Sequence, residues 1–321
     1  MELENETIAD RLEKILMPHM SENKAKLEAS GNKFIHYTSA ENSLNILNSQ
    51  RLWLRNPSCM NDYMEISHGY QMLWNFFSDV EKKNKFTLAI DAYEDGLAKM
   101  IFSGFNEWWE KIKHDTFIAS ISLHPESESK HGRLSMWRAY GSDSGKAALV
   151  FNNPPKNKKL DVILSPAAYF TVEELETELF QIIDSINDNI EYLKTLDKVT
   201  IVGTVIVSLI ILAVCLKHPG FKEEQEWRLI YLPATFPDNS FIEKSVETIN
   251  GIPQLVCKLP LENNEELELT GLSIPEIINH ILIGPTQYPL PMFDAFLQTL
   301  IDLNVSDAGS KVKISGIPLR T

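Results

Sequence analysis

The amino-acid sequence predicts an α+β fold with a mixed central β-sheet and helical insertions. Short apolar segments with strand character are scattered along the chain, and they do not alternate one by one with helices as in a doubly wound fold. A long amphipathic segment followed by a strongly apolar one predicts a helical hairpin at about residues 171–216. The segments with strand character are 33–39, 51–57, 116–123, 146–151, 160–165, 220–233, 255–261, 280–285 and 312–315.

The other helical elements follow from capping and periodicity. Residues 4–29 predict an N-terminal helix that ends before Gly31, and we therefore divide the chain into a helix at 1–30 and a single domain at 31–321. Ser39 is placed to cap a helix that follows the first strand. Residues 60–112 have a mostly helical pattern, and residues 134–141 predict a short helix closed by Gly141.

Composition excludes several classes of protein. The 321 residues include 30 Lys+Arg and 44 Asp+Glu, for a formal net charge of −14. This acidic balance argues against broad binding to nucleic acids or anionic membranes. The three scattered cysteines form neither a disulfide framework nor a CxxC or Cys/His cluster, so we expect no metal and a cytoplasmic location.

Residues 199–216 fit two different environments. They carry no charge over 18 positions. A helix of that length spans about 27 Å, the minimum for crossing a bilayer. The same composition fits a helix buried in a large core beside the amphipathic segment 171–196. A membrane span would place the flanking segments on opposite sides of a bilayer, whereas the motifs below are expected to build one site, so we expect no stable membrane association.

Two motifs place polar or aromatic residues where periodicity predicts core residues. In FIHYTS, strand alternation puts His36 and Thr38 on one face and Tyr37 on the other. In MWRAYG, Trp137 and Tyr140 are three residues apart and share a helix face. The structural interpretation is a strand-end histidine and a packed aromatic pair. The functional interpretation is a polar ligand and a stacking surface for a flat ring.

A third motif, EEQEWRLIY, leads from carboxylates and a guanidinium into an apolar strand. Alternation puts Glu224, Glu226 and Arg228 on one face of that strand. One interpretation is a salt-bridged strand end in which Arg228 holds Glu226. The other is a metal site at the carboxylates, which is disfavoured because no Asp or His partner stands at helical or turn spacing nearby.

The order of these motifs resembles a bacterial family catalogued as domain of unknown function twenty-nine seventy-one, over about Lys33 to Arg320. That family is similar to a divergent branch of the ADP-ribosyltransferase superfamily of the His-Tyr-Glu type. Such enzymes place a His on the first core strand, an aromatic residue in the middle, and a Glu in an (E/Q)xE turn before a later strand. The motifs that carry the resemblance are FIHYTS, RLWLRNP, NDYMEI, SISL followed by LSMWRAYG, EEQEWRLIY and ISGIPLR.

The resemblance implies a set of contacts with NAD. His36, with Thr38 nearby, would hydrogen-bond a ribose hydroxyl. Tyr140 would stack on the nicotinamide together with Trp137, and Tyr37 competes for the same role. The Ser120-Ile121-Ser122 strand is a further candidate for supporting the nicotinamide pocket.

The resemblance also implies catalytic roles at the third motif. Glu226 would be the catalytic glutamate, and Glu224 would orient or deprotonate the acceptor. Arg228 would either restrain Glu226 or pair with a phosphate of the dinucleotide.

These roles imply an NAD-consuming enzyme that cleaves the nicotinamide–ribose bond. As an ADP-ribosyltransferase it would modify a protein or a nucleic acid, as a toxin or a phage-defence effector does. With water as the nucleophile, the same residues would make an NAD glycohydrolase. The alternative from another class is a non-catalytic module that binds a nucleotide or a signal on the same fold. NAD is thus the expected substrate, and no metal is expected.

Overall fold

The computed structural model describes residues 6–60, 63–141, 145–154, 160–237 and 239–318. The chain divides into two compact units. The helical unit comprises Met1–Ala29, Pro57–Thr116 and Ser165–Glu223, and the sheet unit comprises Ser30–Asn56, Phe117–Leu164 and Glu224–Thr321. The predicted division at residue 31 stays a prediction, because compactness alone does not show which part of a chain folds by itself.

The elements are numbered here in chain order. The helices are α1 (Ile8–Leu16), α2 (Pro18–Ser30), α3 (Ala40–Ser49), α4 (Tyr63–Ser78), α5 (Val80–Asp91), α6 (Leu97–Asp115), α7 (Leu134–Ala139), α8 (Val172–Asp188), α9 (Ile190–Leu193), α10 (Lys198–Cys215), α11 (Ile274–Ile277), α12 (Pro289–Asp302) and α13 (Ala308–Lys311). The strands are β1 (Lys33–Ser39), β2 (Arg51–Arg55), β3 (Phe117–His124), β4 (Lys146–Phe151), β5 (Ile163–Pro166), β6 (Glu226–Tyr231), β7 (Glu243–Ile249), β8 (Ile252–Pro260), β9 (Ile278–Ile283) and β10 (Val312–Ile314).

The N-terminal segment forms two helices where one was predicted. Helix α1 begins at a capping box in which Thr7 and Asp10 bond each other's backbone N–H groups, and it ends at Met17. Helix α2 then begins at Pro18. Proline restricts the backbone of the residue before it and has no N–H for the helix ladder, so the chain breaks there.

Helix α10 is the apolar segment of the predicted hairpin, and it begins at the N-cap residue Asp197, whose carboxylate accepts from the backbone N–H of Thr200. The amphipathic partner forms α8 and α9. Helix α10 packs mainly against α4 and α6, so its cover comes from earlier in the chain more than from α8. Among the described residues, α10 is the helix long and apolar enough to cross a membrane, with a mean hydropathy of 2.5, and half of it is buried.

The sheet unit is built on a ten-stranded sheet with the order β10-β9-β4-β1-β3-β2-β8-β7, while β6 pairs with β3 and β5. Strands β9 and β10 are parallel, and the pairs made by β1 with β3 and β4 are antiparallel. The predicted α+β fold with a mixed central sheet is therefore confirmed.

Each face of the sheet has its own apolar core. On the face that we call the α12 face, Leu149 of β4 packs with Phe296 of α12. On the opposite face, the α7 face, Tyr37 of β1 and Val150 of β4 pack with Trp137 of α7. Alternation along β1 and β4 therefore decides which side chains reach which core.

Candidate functional site

Three neighbouring strands bring several of the predicted site residues together. Strand β3 pairs with β1 through Ile35↔Ser122 and with β6 through Ser122↔Glu226 and Ser120↔Arg228. The ladder between β1 and β3 ends at Ile35, one residue before His36. Ser120 thus lies between the strand that carries His36 and the strand that carries the acidic motif.

Glu226 is held by two donors. Ser120 Oγ donates to Glu226 Oε1 at 2.6 Å, and Arg228 Nε donates to the same oxygen at 2.8 Å. Arg228 Nη2 lies 3.4 Å from Oε2. The exposed fraction is 4% for Glu226 and 0% for Arg228, so this is a buried ion pair. Such a pair fixes the position of the carboxylate, because separating it would leave an uncompensated charge in a region of low dielectric.

Glu224 does not lie on the same strand face as Glu226. It ends a short 3₁₀ helix, Pro219–Glu224, and β6 begins only at Glu226. Between them, Gln225 has a left-handed backbone with φ of 46°. This turn breaks the alternation that was predicted to run from Glu224 to Arg228, whereas Glu226 and Arg228 do share a face.

His36 on β1 also contacts Ser120, at its backbone carbonyl rather than at its hydroxyl. Its Nδ1 lies 3.0 Å from the Ser120 backbone oxygen. Since a carbonyl only accepts, Nδ1 carries the proton and Nε2 is an acceptor. Burial lowers the pKa of His36, and the bond to Ser120 opposes that shift in part. The imidazole is therefore neutral near pH 7.

The strand register puts His36 and Glu226 on opposite faces of the sheet. Cross-strand partners share a face, so Glu226 lies with Ser122 and Ile35 on the α7 face. His36 pairs with Leu149, which belongs to the α12 face. The two side chains thus meet at Ser120, one at its carbonyl and one at its hydroxyl, and alternation does not place both in one hollow.

Tyr37 and Trp137 form a packed pair on the α7 face. Their ring centroids are 4.8 Å apart in an edge-to-face arrangement. The Tyr37 hydroxyl accepts from the backbone N–H of Arg133 at 2.8 Å, and burial raises the pKa of Tyr37 to about 12. Trp137 is 1% exposed and donates from Nε1 to the His131 carbonyl at 2.8 Å. Both rings are therefore core residues and offer no free face for stacking.

Tyr140 and Thr38 remain closer to solvent. Helix α7 ends at Ala139, and Tyr140 is its extended C-cap residue with 38% exposure. Tyr140 and Trp137 therefore lie in different environments, contrary to the predicted shared helix face. Thr38 Oγ1 accepts from Asn42 Nδ2 at 3.2 Å, which ties it to the first turn of α3.

Arg133 is a site residue that sequence reasoning missed. Its Nη1 donates to the Glu224 carbonyl at 2.9 Å and its Nη2 donates to Gln225 Oε1 at 3.1 Å. Its other contacts include the Glu128 carboxylate. Arg133 therefore fixes the turn at Glu224 and Gln225, which directly precedes Glu226. The sequence signal is weak, since Arg133 ends a polar stretch, residues 124–133, whose composition is typical of a surface loop.

Two cavities of the described part of the chain lie in the helical unit. One is a void of about 10 Å³ lined by apolar side chains such as Leu16 and Ile186. The other is an open groove of about 560 Å³ along α8, between Thr177 and Asp188. Neither of them touches β1, β3 or β6.

Comparison with known proteins identifies part of the chain. Residues 136–229 match the model of a family described as Protein of unknown function (DUF2971). This match confirms the resemblance to that family over α7, the helices that follow it and the start of β6. No curated protein and no solved structure matched the chain. Parts of two motifs of the resemblance, residues 61–62 and 319–320, lie outside the described residues.

Proposed function

We propose that this protein is an NAD-consuming enzyme that resembles the ADP-ribosyltransferases, with Glu226 as the catalytic carboxylate. The observation that carries the proposal is the bond of 2.6 Å from Ser120 Oγ to Glu226 Oε1. This bond fixes the Glu226 carboxylate on β6. Strand β6 pairs with β3, and the Ser120 carbonyl of β3 accepts the hydrogen bond from His36. Two residues far apart in the sequence and expected to act on one dinucleotide thus share a single partner.

The chemistry explains why a fixed carboxylate is needed. When the bond between C1′ of the ribose and nicotinamide breaks, its electron pair leaves with nicotinamide and positive charge develops on C1′ and the ring oxygen. A carboxylate held beside the ribose stabilises that charge without reorganisation. An acceptor group or water then bonds to C1′ and loses its proton. Water gives the glycohydrolase, and a protein or nucleic acid gives the transferase.

The neutral tautomer of His36 fits its proposed contact with NAD. Because Nδ1 donates to Ser120, Nε2 is an acceptor for a ribose hydroxyl. Tyr140 is the aromatic residue proposed to stack on nicotinamide, since Trp137 and Tyr37 are enclosed. Glu224 is kept as the residue that orients the acceptor, and Arg228 as the one that restrains Glu226.

A step of opening has to precede catalysis. Glu226 is 4% exposed, so NAD binding has to separate Glu226 from Arg228 or displace its cover. Because His36 lies on the opposite face of the sheet, the dinucleotide also has to reach both faces next to Ser120. The guanidinium released in this way would pair with a phosphate of the dinucleotide. The further proposals are a role as a toxin or phage-defence effector and a cytoplasmic location.

A second candidate function is a non-catalytic module that binds a nucleotide or a signal. The observation that favours it is the same burial of Glu226 against a fully enclosed Arg228. An acid neutralised in this way stabilises the fold whether or not any substrate is turned over. A ligand would then be recognised through His36 and Tyr140 without cleavage.

The experiment is to incubate the purified full chain with NAD and to follow nicotinamide release by chromatography. We expect release by the wild type and a loss of about 10²–10³-fold in rate for Glu226→Gln, because one preorganised electrostatic contact is removed. The matched control is Glu247→Gln, which removes a carboxylate that pairs with Lys258 on the hairpin of β7 and β8. This variant is expected to keep the wild-type rate.

Calorimetry with NAD separates the two candidates. NAD binding by the wild type without nicotinamide release identifies the binding module, and Glu226→Gln should then bind NAD as the wild type does. Equal rates for Glu226→Gln and wild type would contradict the assignment of Glu226. The absence of both NAD binding and nicotinamide release would contradict the enzyme and any module that recognises NAD. Circular dichroism of each variant shows that a lost activity does not come from unfolding.

A further inference from the structure

Strand β7 ends the ten-stranded sheet with an open edge. Its seven residues, Glu243–Ile249, include no proline, and they pair with β8. Strand β7 is the last one in the order of the sheet, so its other side has no strand partner among the described residues. The strand at the opposite end, β10, has only three residues. An open edge as long as that of β7 presents a row of backbone donors and acceptors with which a further strand can pair.

The turn between β7 and β8 defines which backbone groups of β7 face outward. Asn250 and Gly251 have positive φ values of 51° and 80°, as a two-residue type I′ turn requires. Such a turn is closed by a hydrogen bond between its flanking residues, here Ile249 and Ile252. From that pair onward, the backbone groups of successive residues point alternately toward β8 and away from it. The residues whose N–H and C=O groups point away from β8 are therefore Lys244, Val246 and Thr248.

The open edge is apolar at its centre. Val246, the middle residue of β7, is 70% exposed, and its partner across the hairpin, Leu255, is 44% exposed. Cross-strand partners share a face, so these two side chains form one exposed apolar surface that reaches the edge. Proteins usually protect an open edge with a charge, a proline or a covering element. The middle position of β7 has none of these.

We propose that a second copy of this chain pairs its own β7 with this edge, antiparallel, about a twofold axis at Val246. Such a symmetric contact requires a strand that is complementary to itself. The axis places Val246 opposite Val246 of the second copy, and Lys244 opposite Thr248 of the second copy. All three residues direct their backbone groups outward, so the two strands would exchange about six hydrogen bonds.

The charges of β7 select this register over its neighbours. An axis at Ser245 would place Glu243 opposite Glu247 of the second copy. An axis at Glu247 would place that carboxylate opposite itself. Like charges directly opposite each other destabilise a pair of strands. The axis at Val246 instead places Glu247 opposite Ser245, whose hydroxyl donates to the Glu247 carboxylate within one copy at 3.0 Å.

The same axis joins the apolar surfaces of the two copies. Leu255 and Val246 of one copy and the same two residues of the other would form a continuous row across the contact, on one face of the sheet. This self-complementarity in register, charge and apolar surface favours a second copy over an unrelated strand. A single pair of strands is a small contact, and each chain carries a net charge of −14. The dimer is therefore expected to dissociate on dilution.

The experiment is sedimentation velocity of the purified full chain over a wide range of concentration, at an ionic strength of about 0.15 M to screen long-range repulsion. We expect the wild type to pass from monomer to dimer. Val246→Pro should abolish the dimer, because proline removes the outward N–H at the axis and leaves the hydrogen bonds between β7 and β8 in place.

Two variants of Thr248 test the register. Lys244 and Thr248 lie about 13 Å apart along one strand, so their side chains meet only between copies. Thr248→Glu adds an ion pair with Lys244 on each side of the axis and should tighten the dimer about 2–30-fold. Thr248→Lys places like charges opposite each other and should weaken it by a similar factor. If Val246→Pro does not fold, as judged by circular dichroism, these two variants decide.

The matched control is Val246→Thr, which keeps the β-branched shape and the outward N–H of that position. We expect it to retain the dimer. A wild type that stays monomeric at every concentration would overturn the proposal and leave the edge to a strand of another protein. A dimer that responds neither to Val246→Pro nor to the Thr248 variants would also overturn it, because the contact would then lie elsewhere. None of these results depends on an action on NAD.

Discussion

Glu226 and Arg228 are two residues apart on one strand, and their side chains lie side by side. Both side chains are buried, and the bond between Arg228 Nε and Glu226 Oε1 joins their charges directly. Ser120 adds a neutral donor to the same carboxylate oxygen. Removing either partner of such a pair is costly, because the other charge would stay buried without compensation.

Replacing Arg228 tests this dependence. We expect Arg228→Met to destabilise the protein by about 3–5 kcal/mol, because the Glu226 carboxylate would remain buried without the guanidinium beside it. The double variant Glu226→Gln, Arg228→Met should recover a large part of that loss, since both charges of the pair are removed together. Urea unfolding followed by circular dichroism gives the free energies of unfolding.

Arg51→Ala is the matched control for that measurement. Arg51 also pairs with carboxylates, those of Glu243 and Glu262, but both partners are about half exposed at 51% and 45%. The expected loss is about 0–1 kcal/mol, as for other pairs near solvent. A similar loss for Arg51→Ala and Arg228→Met would show that burial does not govern the Glu226–Arg228 pair.

Helices α4 and α10 approach each other closely at Gly69. A Cβ atom at this position would overlap the backbone carbonyl of Ala213 in α10 and lie 3.1 Å from the Leu216 side chain. Glycine is therefore required there by the contact between two helices. Gly203 differs, because a Cβ atom built on it meets no atom within 4 Å.

The two glycines should respond to alanine in opposite directions. We expect Gly69→Ala to destabilise the protein by about 1–3 kcal/mol, since the two helices have to move apart. Gly203→Ala should stabilise it by about 0.5–1 kcal/mol, because alanine is the better helix former at an open position. Thermal unfolding of both variants is the measurement. Destabilisation by Gly203→Ala would indicate that this face of α10 is covered by a partner.

At the scale of the whole molecule, the apolar helix α10 fits two environments, a protein core and a membrane. Its composition suffices for a membrane span, yet half of it is buried within the chain. We expect the expressed protein to stay in the supernatant after high-speed centrifugation, because α4 and α6 cover the helix. Pelleting with membranes and resistance to carbonate extraction would contradict this and favour a span. A Val205→Asp variant, which charges a buried position, should lose solubility if α10 is core.

Periodicity and capping predicted local structure well in this chain. The capping residue Ser39 begins α3, the segment 171–216 is helical, and the class of the sheet is confirmed. Two of the errors came from single backbone positions. Pro18 splits the N-terminal helix, and the left-handed Gln225 separates Glu224 from the strand of Glu226. The backbone conformation at such positions depends on a few dihedral angles, which the spacing of apolar residues does not reveal.

The sequence by itself determined the class of fold and the strand that carries Glu226 and Arg228, because apolar periodicity is a local signal, and it left the pairing of these two residues as one of two interpretations. Only the tertiary structure decided that Trp137 is core, that Ser120 joins Glu226 to His36, and that β7 lies at the edge of the sheet. Those features depend on strand order and register. The register of a sheet is fixed by the burial of whole faces, and no short motif encodes it.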